Sequence, residues 1–165
     1  MNVRVEPHDT VEIDLLVNGT AHRVAVESRS LLSDVLRHRL GLTGTHVSCE
    51  QGGCGACLIL LDGEPVTSCT TLAITLDGSA VTTIEGLAES SRHDALRHAF
   101  RSRGALQCGF CTPGMFLACA ALLDGERPRD RREIRERLTG QQCRCTGYAA
   151  VIDAVSDVLA DGGAP

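Results

Sequence analysis

Cys49-Glu50-Gln51-Gly52-Gly53-Cys54-Gly55-Ala56-Cys57 is the stretch that decides the fold. Three thiols at C-x4-C-x2-C spacing, with Cys69 following after eleven intervening residues, form the pattern that holds a plant-type 2Fe–2S cluster. A loop that wraps three thiolates around one cluster must bend sharply and turn its amide N–H groups toward the sulfurs. Gly52, Gly53 and Gly55 make both possible. A structural zinc site is the alternative, since four cysteines also satisfy tetrahedral Zn²⁺, but zinc sites favour paired knuckles over this triple.

Upstream of this loop the pattern is that of a sheet. Val11–Val17 and Ala21–Val26 alternate apolar and polar residues around Asn18-Gly19, which predicts a hairpin. Ser30 is placed to cap a helix carrying Leu31, Leu32, Val35, Leu36 and Leu40 at helical spacing, stopped by Gly41. Downstream, Leu58–Leu61 reads as a strand ahead of Asp62-Gly63 and Pro65. Ile74–Leu76 and Ala80–Thr83 around Asp77-Gly78 read as one more hairpin.

From Ile84 the hydrophobic period lengthens from 2 to about 3.6, so a boundary is expected there, with domains at 1–83 and 84–165. Four helices are predicted in the second half. His93–Arg103 is amphipathic through Leu96, Ala99 and Phe100. Thr112-Pro113 supplies a cap and first-turn proline for an all-apolar helix over Met115–Leu123. Asp130 and Glu133 have capping-box spacing for a helix to Leu138, and Val151, Ile152, Val155, Val158 and Leu159 mark a last helix ended by Gly162-Gly163.

This half carries its own thiol set, Cys108-x2-Cys111 and Cys143-x-Cys145. Each pair falls where a helix starts, so N–H groups and the positive helix end can stabilise thiolates. The spacing alone admits either zinc or a cluster. Cys119, the ninth cysteine, sits in the apolar helix and is read as a small buried hydrophobe. His46 lies three residues before Cys49, but a Rieske centre needs two histidines on one iron, so a packing or surface role is expected. Gly53-Cys54-Gly55 begins like a dinucleotide fingerprint, yet Leu58 stands where the third glycine belongs. The arginines from Arg127 to Arg137 could dock an acidic partner or form a solvated helix face.

Composition removes other classes of function. The chain has 165 residues, a formal net charge of −5 and 2% aromatics, so it lacks the basic surface and stacking platforms of a nucleic-acid binder. No apolar run reaches the length of a membrane span. All 16 positive residues are Arg, which excludes a lysine Schiff base and a Walker-type loop. Met1–Thr10 places Glu6, Pro7 and Asp9 where a secretory signal has its apolar core, so a cytoplasmic location is expected, and dense cysteines there point to metal rather than disulfides. Two oxidised clusters, each a +2 core on four thiolates, would take the formal charge from −5 to about −9.

Three blocks together carry a family resemblance: Gly44-Thr45-His46-Val47-Ser48-Cys49 through Cys57, Gln107-Cys108-Gly109-Phe110-Cys111-Thr112-Pro113-Gly114, and Cys143-Arg144-Cys145-Thr146-Gly147-Tyr148. From about Val11 to Leu159 the chain resembles the iron–sulfur subunit of xanthine-oxidase-type molybdenum hydroxylases. The resemblance implies an α+β chain: an N-terminal ferredoxin-like β-grasp domain followed by a C-terminal four-helix 2Fe–2S domain. It implies two 2Fe–2S clusters, one on Cys49, Cys54, Cys57 and Cys69 and one on Cys108, Cys111, Cys143 and Cys145. Gln107 and Cys145 would approach the molybdopterin of a separate large subunit. Electrons would run from molybdenum through the second cluster to the first, and on to FAD in a medium subunit, within a dimer of heterotrimers. A stand-alone two-cluster ferredoxin shuttle is the alternative. Ser48, where the family often has Gly, and Gln141-Gln142, where Asn-Leu is usual, bear on local packing or potential rather than on ligation. Two cluster domains fill 165 residues, which leaves no room for a substrate site and makes larger partners necessary.

Overall fold

Asn18 and Gly19 both take left-handed φ, 50° and 79°, as a two-residue I′ hairpin requires, and they join β1 (Thr10–Val17) to β2 (Thr20–Glu27) in antiparallel register. The computed structural model describes residues 9–89 and 91–161. Asp62 and Gly63 repeat the device between β3 (Leu58–Leu61) and β4 (Glu64–Thr67). Pro65 is tolerated there because β4 is an edge strand. With β5 (Ala80–Thr82), parallel to β1 and antiparallel to β3, the strands form one mixed sheet in the order β2-β1-β5-β3-β4.

The continuous apolar run of β3 follows from burial on both of its faces. Ile59 joins Ile13, Leu15, Leu36 and Val81 in a core on one side of the sheet. Leu58 and Leu60 point the other way, into the helical core with Met115, Leu117 and Ile152. Truncating any of these buried leucines to Ala removes about 2–5 kcal/mol.

Two elements of the first half differ from expectation. Ser30 caps nothing: α1 (Leu32–Asp34) starts after Leu31, with no side-chain cap, and runs straight into a π turn over Val35–Arg39. The backbone around Ser30 is committed elsewhere, since its carbonyl accepts Ala73 N–H at 2.9 Å and Leu31 bridges Leu72. Gly41, at φ 73°, lies just beyond this helix. The expected second hairpin is also absent. Ala73–Leu76 is a 3₁₀ turn that buries Ala73 and Leu76, because Asp77 and Gly78 bond to β1: the Asp77 carboxylate and the Gly78 N–H both engage the Asp14 backbone at 2.8 and 2.7 Å.

The helical half contains the four expected helices and a short one that the period did not reveal, α2 (Ile84–Glu89). Then come α3 (Asp94–Ser102), α4 (Thr112–Asp124), α5 (Arg131–Arg137) and α6 (Ala149–Ala160). Leu96, Ala99 and Phe100 face inward from α3, and the Phe100 ring meets the edge of Phe116 at 5.3 Å. In α4 the cap is Cys111 rather than Thr112, which lies inside the helix with Pro113. Asp130 caps α5 by accepting Glu133 N–H at 2.9 Å. Glu133 reaches back to Arg129 N–H, one residue earlier than a strict capping box. The basic run is a salt-bridged helix face: Arg129 and Arg137 on Glu133, Arg132 on Glu136 and Arg131 on Asp153. The expected stop of α6 at Gly162-Gly163 lies outside the described residues.

The two halves are tied at their junction. Asn18 and Thr83 exchange two hydrogen bonds at 2.8 and 2.9 Å, and the Glu85 carboxylate accepts Thr83 Oγ1–H at 2.5 Å and Gly44 N–H at 2.8 Å. Among the described residues no helix is long and apolar enough to cross a membrane.

Candidate metal centres

The first thiol loop bends through left-handed φ at Glu50, Gly52 and Gly55. That path turns amides toward sulfur: Gln51 N–H donates to Cys49 Sγ at 3.4 Å. The Gln51 amide, the Cys54 thiol and the amides of Cys54 and Gly53 together hold the Cys49 thiol down at about 6, so a thiolate forms there readily at neutral pH. Cys69 arrives by hairpin register. Leu58 pairs with Thr67, so Cys57 and Ser68 face each other at the open end of β3–β4, where Ser68 N–H and Oγ–H both donate to Cys57 O at 3.2 and 2.7 Å. Burial, then the neighbouring Cys57, pushes the Cys69 thiol up to about 11. The structure thus gathers Cys49 with Cys54 and Cys69 with Cys57, and Cys69 senses the charge of Cys49 as well.

The second set forms where two helix beginnings meet. Gly109 turns the chain at φ 84°, and Cys111 caps α4. Cys143 and Cys145 precede α6, which starts after Tyr148 at φ 66°. Burial opposes the Cys143 thiolate, but the Thr146 hydroxyl and amide, the Cys145 amide and Cys111 outweigh it and the pKa is lowered. The Thr146 donors lie 3.1 and 3.5 Å from Cys143 Sγ. Burial, then Cys143 and Cys108, pushes Cys111 up to about 12. Cys143, Cys108 and Cys111 therefore share one neighbourhood. Cys108, Cys145 and Gln107 face solvent. Cys119 is fully buried in α4, and burial alone raises its thiol.

The donor chemistry suits iron–sulfur centres: soft sulfurs lie near one another in each half, with N–H and O–H groups donating to sulfur. A metal deprotonates a coordinating thiol outright, so a bound cationic core would ionise Cys69 and Cys111 against the burial that raises them.

The structure also gives roles that the sequence did not. Tyr148 Oη accepts Cys143 N–H at 2.9 Å and so fixes the arm of the second set. Gln142 N–H donates to Cys54 O at 2.9 Å, and its Nε2 donates to Gly53 O at 3.0 Å. Gln141 is buried with its side chain against Gly55. The unusual Gln141-Gln142 pair thus joins the two thiol loops. His46 stacks on Phe110, with centroids 5.0 Å apart, a packing role as expected. Tyr148 and Thr146 stood beside the cysteines in sequence, but only the fold directs their hydroxyls at Cys143.

Comparison with known proteins finds one family over each half of the chain. A "2Fe-2S iron-sulfur cluster binding domain" family matches residues 15–81, and a "[2Fe-2S] binding domain" family matches residues 83–156. The chain is 48% identical to the caffeine dehydrogenase subunit gamma of Pseudomonas sp. (strain CBB1), covering 88% of this chain and 89% of that one. It is 38% identical to the xanthine dehydrogenase iron-sulfur-binding subunit of Escherichia coli O157:H7, over 90% and 94% of the two. The crystal structure of quinoline 2-oxidoreductase from Pseudomonas putida 86 contains a chain that superposes with a TM-score of 0.84 at 42% identity, covering 94% of this chain and 99% of that chain. Two cluster-binding domains in this order, on a chain matching such subunits nearly end to end, place the protein in the family of electron-transferring iron–sulfur subunits of xanthine-oxidase-type molybdenum hydroxylases.

Proposed function

We propose that this chain relays electrons between a molybdopterin centre on a separate large subunit and an acceptor, FAD on a medium subunit, in a cytoplasmic dimer of heterotrimers. Residues 1–83 form the domain of the first cluster, on Cys49, Cys54, Cys57 and Cys69. Residues 84–165 form the domain of the second, on Cys108, Cys111, Cys143 and Cys145. When bound, each 2Fe–2S cluster takes up and gives back one electron at a time. The chain's own residues hold and insulate these centres: the Gln51 amide, Thr146 and Tyr148 fix the sulfurs, and burial of Cys57 and Cys69 keeps one side of the first site dry.

The observation that supports the direction of the relay is the exposure of the second set. Gln107, Cys108 and Cys145 lie at the surface, flanked by Leu106 and Phe110, which are 43% and 47% exposed. Large exposed apolar side chains beside a redox centre suit a docking face for the large subunit. On this reading the exposed Gln107 and Cys145 approach its pterin.

The test is the native complex, purified with its partners. The expected material contains molybdenum, four irons and four acid-labile sulfides per copy of this chain, which follow from two 2Fe–2S centres. After dithionite it gives two distinct paramagnetic resonance signals. A brown monomer that never co-purifies with larger chains supports the free shuttle instead. A colourless, sulfide-free protein holding zinc refutes the relay.

A further inference from the structure

We propose that His46 is a positioning residue for electron transfer between the two centres, strapping the Cys49 loop to the Cys108–Cys111 corner; this rests on the two-cluster reading above. His46 lies three residues before Cys49, and Phe110 lies between Cys108 and Cys111. The His46 Nδ1 atom is 2.7 Å from Phe110 O. A carbonyl only accepts, so the imidazole carries its proton on Nδ1 and donates. The same ring lies over the Phe110 ring, with centroids 5.0 Å apart and planes at 25°. One side chain therefore grips both the backbone and the side chain of the opposite loop.

The strap matters because the second thiol set is built from two separate arms, and each arm needs its own tie to the first loop. The Cys143 arm is tied by Gln142, through Cys54 O and Gly53 O. At the Cys108–Cys111 corner the side-chain tie is His46, beside the close backbone approach of Gly114 to Gly55 at the start of α4. The corner turns on Gly109, around which a Cβ would meet nothing within 4 Å, so packing at that position does not hold it. Phe110 is 47% exposed, and its stack on His46 is the ring contact it makes among the described residues. The Gln142 tie and the Asn18–Thr83–Glu85 junction keep the halves together without His46. Loss of the imidazole then loosens the spacing of the centres rather than unfolding the chain. The transfer moves one electron from the second centre to the first, with no bond made or broken and no proton moved.

The test uses the complete complex carrying His46→Ala, His46→Asn, His46→Phe or Phe110→Leu. Iron and sulfide content and the two separate resonance signals report whether both centres are present. The magnetic splitting between the fully reduced centres, and the rate at which the first is reduced after the second, report their spacing. His46→Ala is expected to keep both centres while the transfer slows roughly three- to tenfold, the population shift that one net hydrogen bond supplies, and the splitting shrinks. Asn carries a donor on the same branch as Nδ1 and should restore both readouts. His46→Phe keeps the stack without the donor and should not. Phe110→Leu keeps the carbonyl and loses the ring contact, so it should slow transfer by less than His46→Ala does. Unchanged splitting and rate in His46→Ala overturn the proposal, and if that variant fails to assemble, parent-like splitting in His46→Phe overturns it. Absence of two iron centres in the parent complex would instead overturn the two-cluster reading.

Discussion

Gly114→Ala is expected to destabilise the protein at the seam between its two thiol loops, although the exchange looks benign from sequence. Gly114 lies in the first turn of α4 and is not among the residues with positive φ, so Ala can adopt its conformation. Intrinsic helix propensity favours Ala by up to about 1 kcal/mol. Space argues the other way. A Cβ at Gly114 would lie 2.2 Å from Gly55 O and 3.2 Å from both Ala56 O and Gly55 C, where ordinary contact starts at 3.4 Å. All three atoms are backbone, so no flexible side chain can yield, and the first thiol loop must retreat from α4 by about 1 Å. Overpacking of this kind costs about 1–3 kcal/mol, and so short an approach to a carbonyl belongs at the upper end. The clash outweighs the propensity gain, leaving a net loss of about 1–2 kcal/mol. Urea denaturation of the cluster-loaded complex, followed by visible absorbance and far-ultraviolet dichroism, measures it. Gly140→Ala is the control, because a Cβ there meets nothing within 4 Å and the effect should stay within about 0.5 kcal/mol of zero. A Gly114→Ala midpoint at or above that of the parent would refute the reasoning.

Three further outcomes are expected. Cys145→Ser abolishes the resonance of the second centre and leaves that of the first, since the groups on the Cys49 sulfur come from Gln51, Cys54 and Gly53 and the Gln142 bonds across the seam do not use Cys145; joint loss of both signals would contradict separate sites. Cys119→Ala leaves iron content unchanged and costs about 1 kcal/mol for a small cavity, whereas Cys119→Ser places a hydroxyl in the apolar core at about 1–3 kcal/mol; iron analysis and denaturant midpoints check both. Glu133 is held at about 2, against an ordinary 4.5, by the Arg129 amide, the Arg129 guanidinium and Arg137. Because the folded value is depressed, its contribution to stability is complete above about pH 4.5 and fades as pH falls toward 2. Glu133→Gln should flatten the acid limb of the α5 dichroism in that window, and an unaltered limb would argue against it.

The features that short-range chemistry fixes are legible in the residues themselves. Asn18-Gly19 and Asp62-Gly63 specify their turns because only left-handed φ closes a two-residue hairpin. The apolar periods of α3, α4 and α6 specify helices whatever they pack against. The C-x4-C-x2-C spacing with its glycines specifies a sulfur-lined loop, and the three sequence blocks specify the family. Where local preference competed with distant partners, the sequence misled. Ile74–Leu76 has the look of a strand but lies in a 3₁₀ turn over Ala73–Leu76, because Asp77 and Gly78 find the Asp14 backbone. Ser30 has the look of a cap but spends its carbonyl on Ala73.

What the tertiary structure alone decided is how the two thiol loops face each other. Gln142 on the Cys54 and Gly53 carbonyls, Gly114 against Gly55 O, and His46 on Phe110 join residues 59 to 89 positions apart. No spacing rule encodes these contacts, since each depends on the common packing of β3 and α4 that brings the loops within reach. Thiol spacing is a property of a few neighbouring residues and survives in the linear chain. The way the two loops face each other is set by side chains meeting across the sheet–helix seam, and it exists only once both cores have closed.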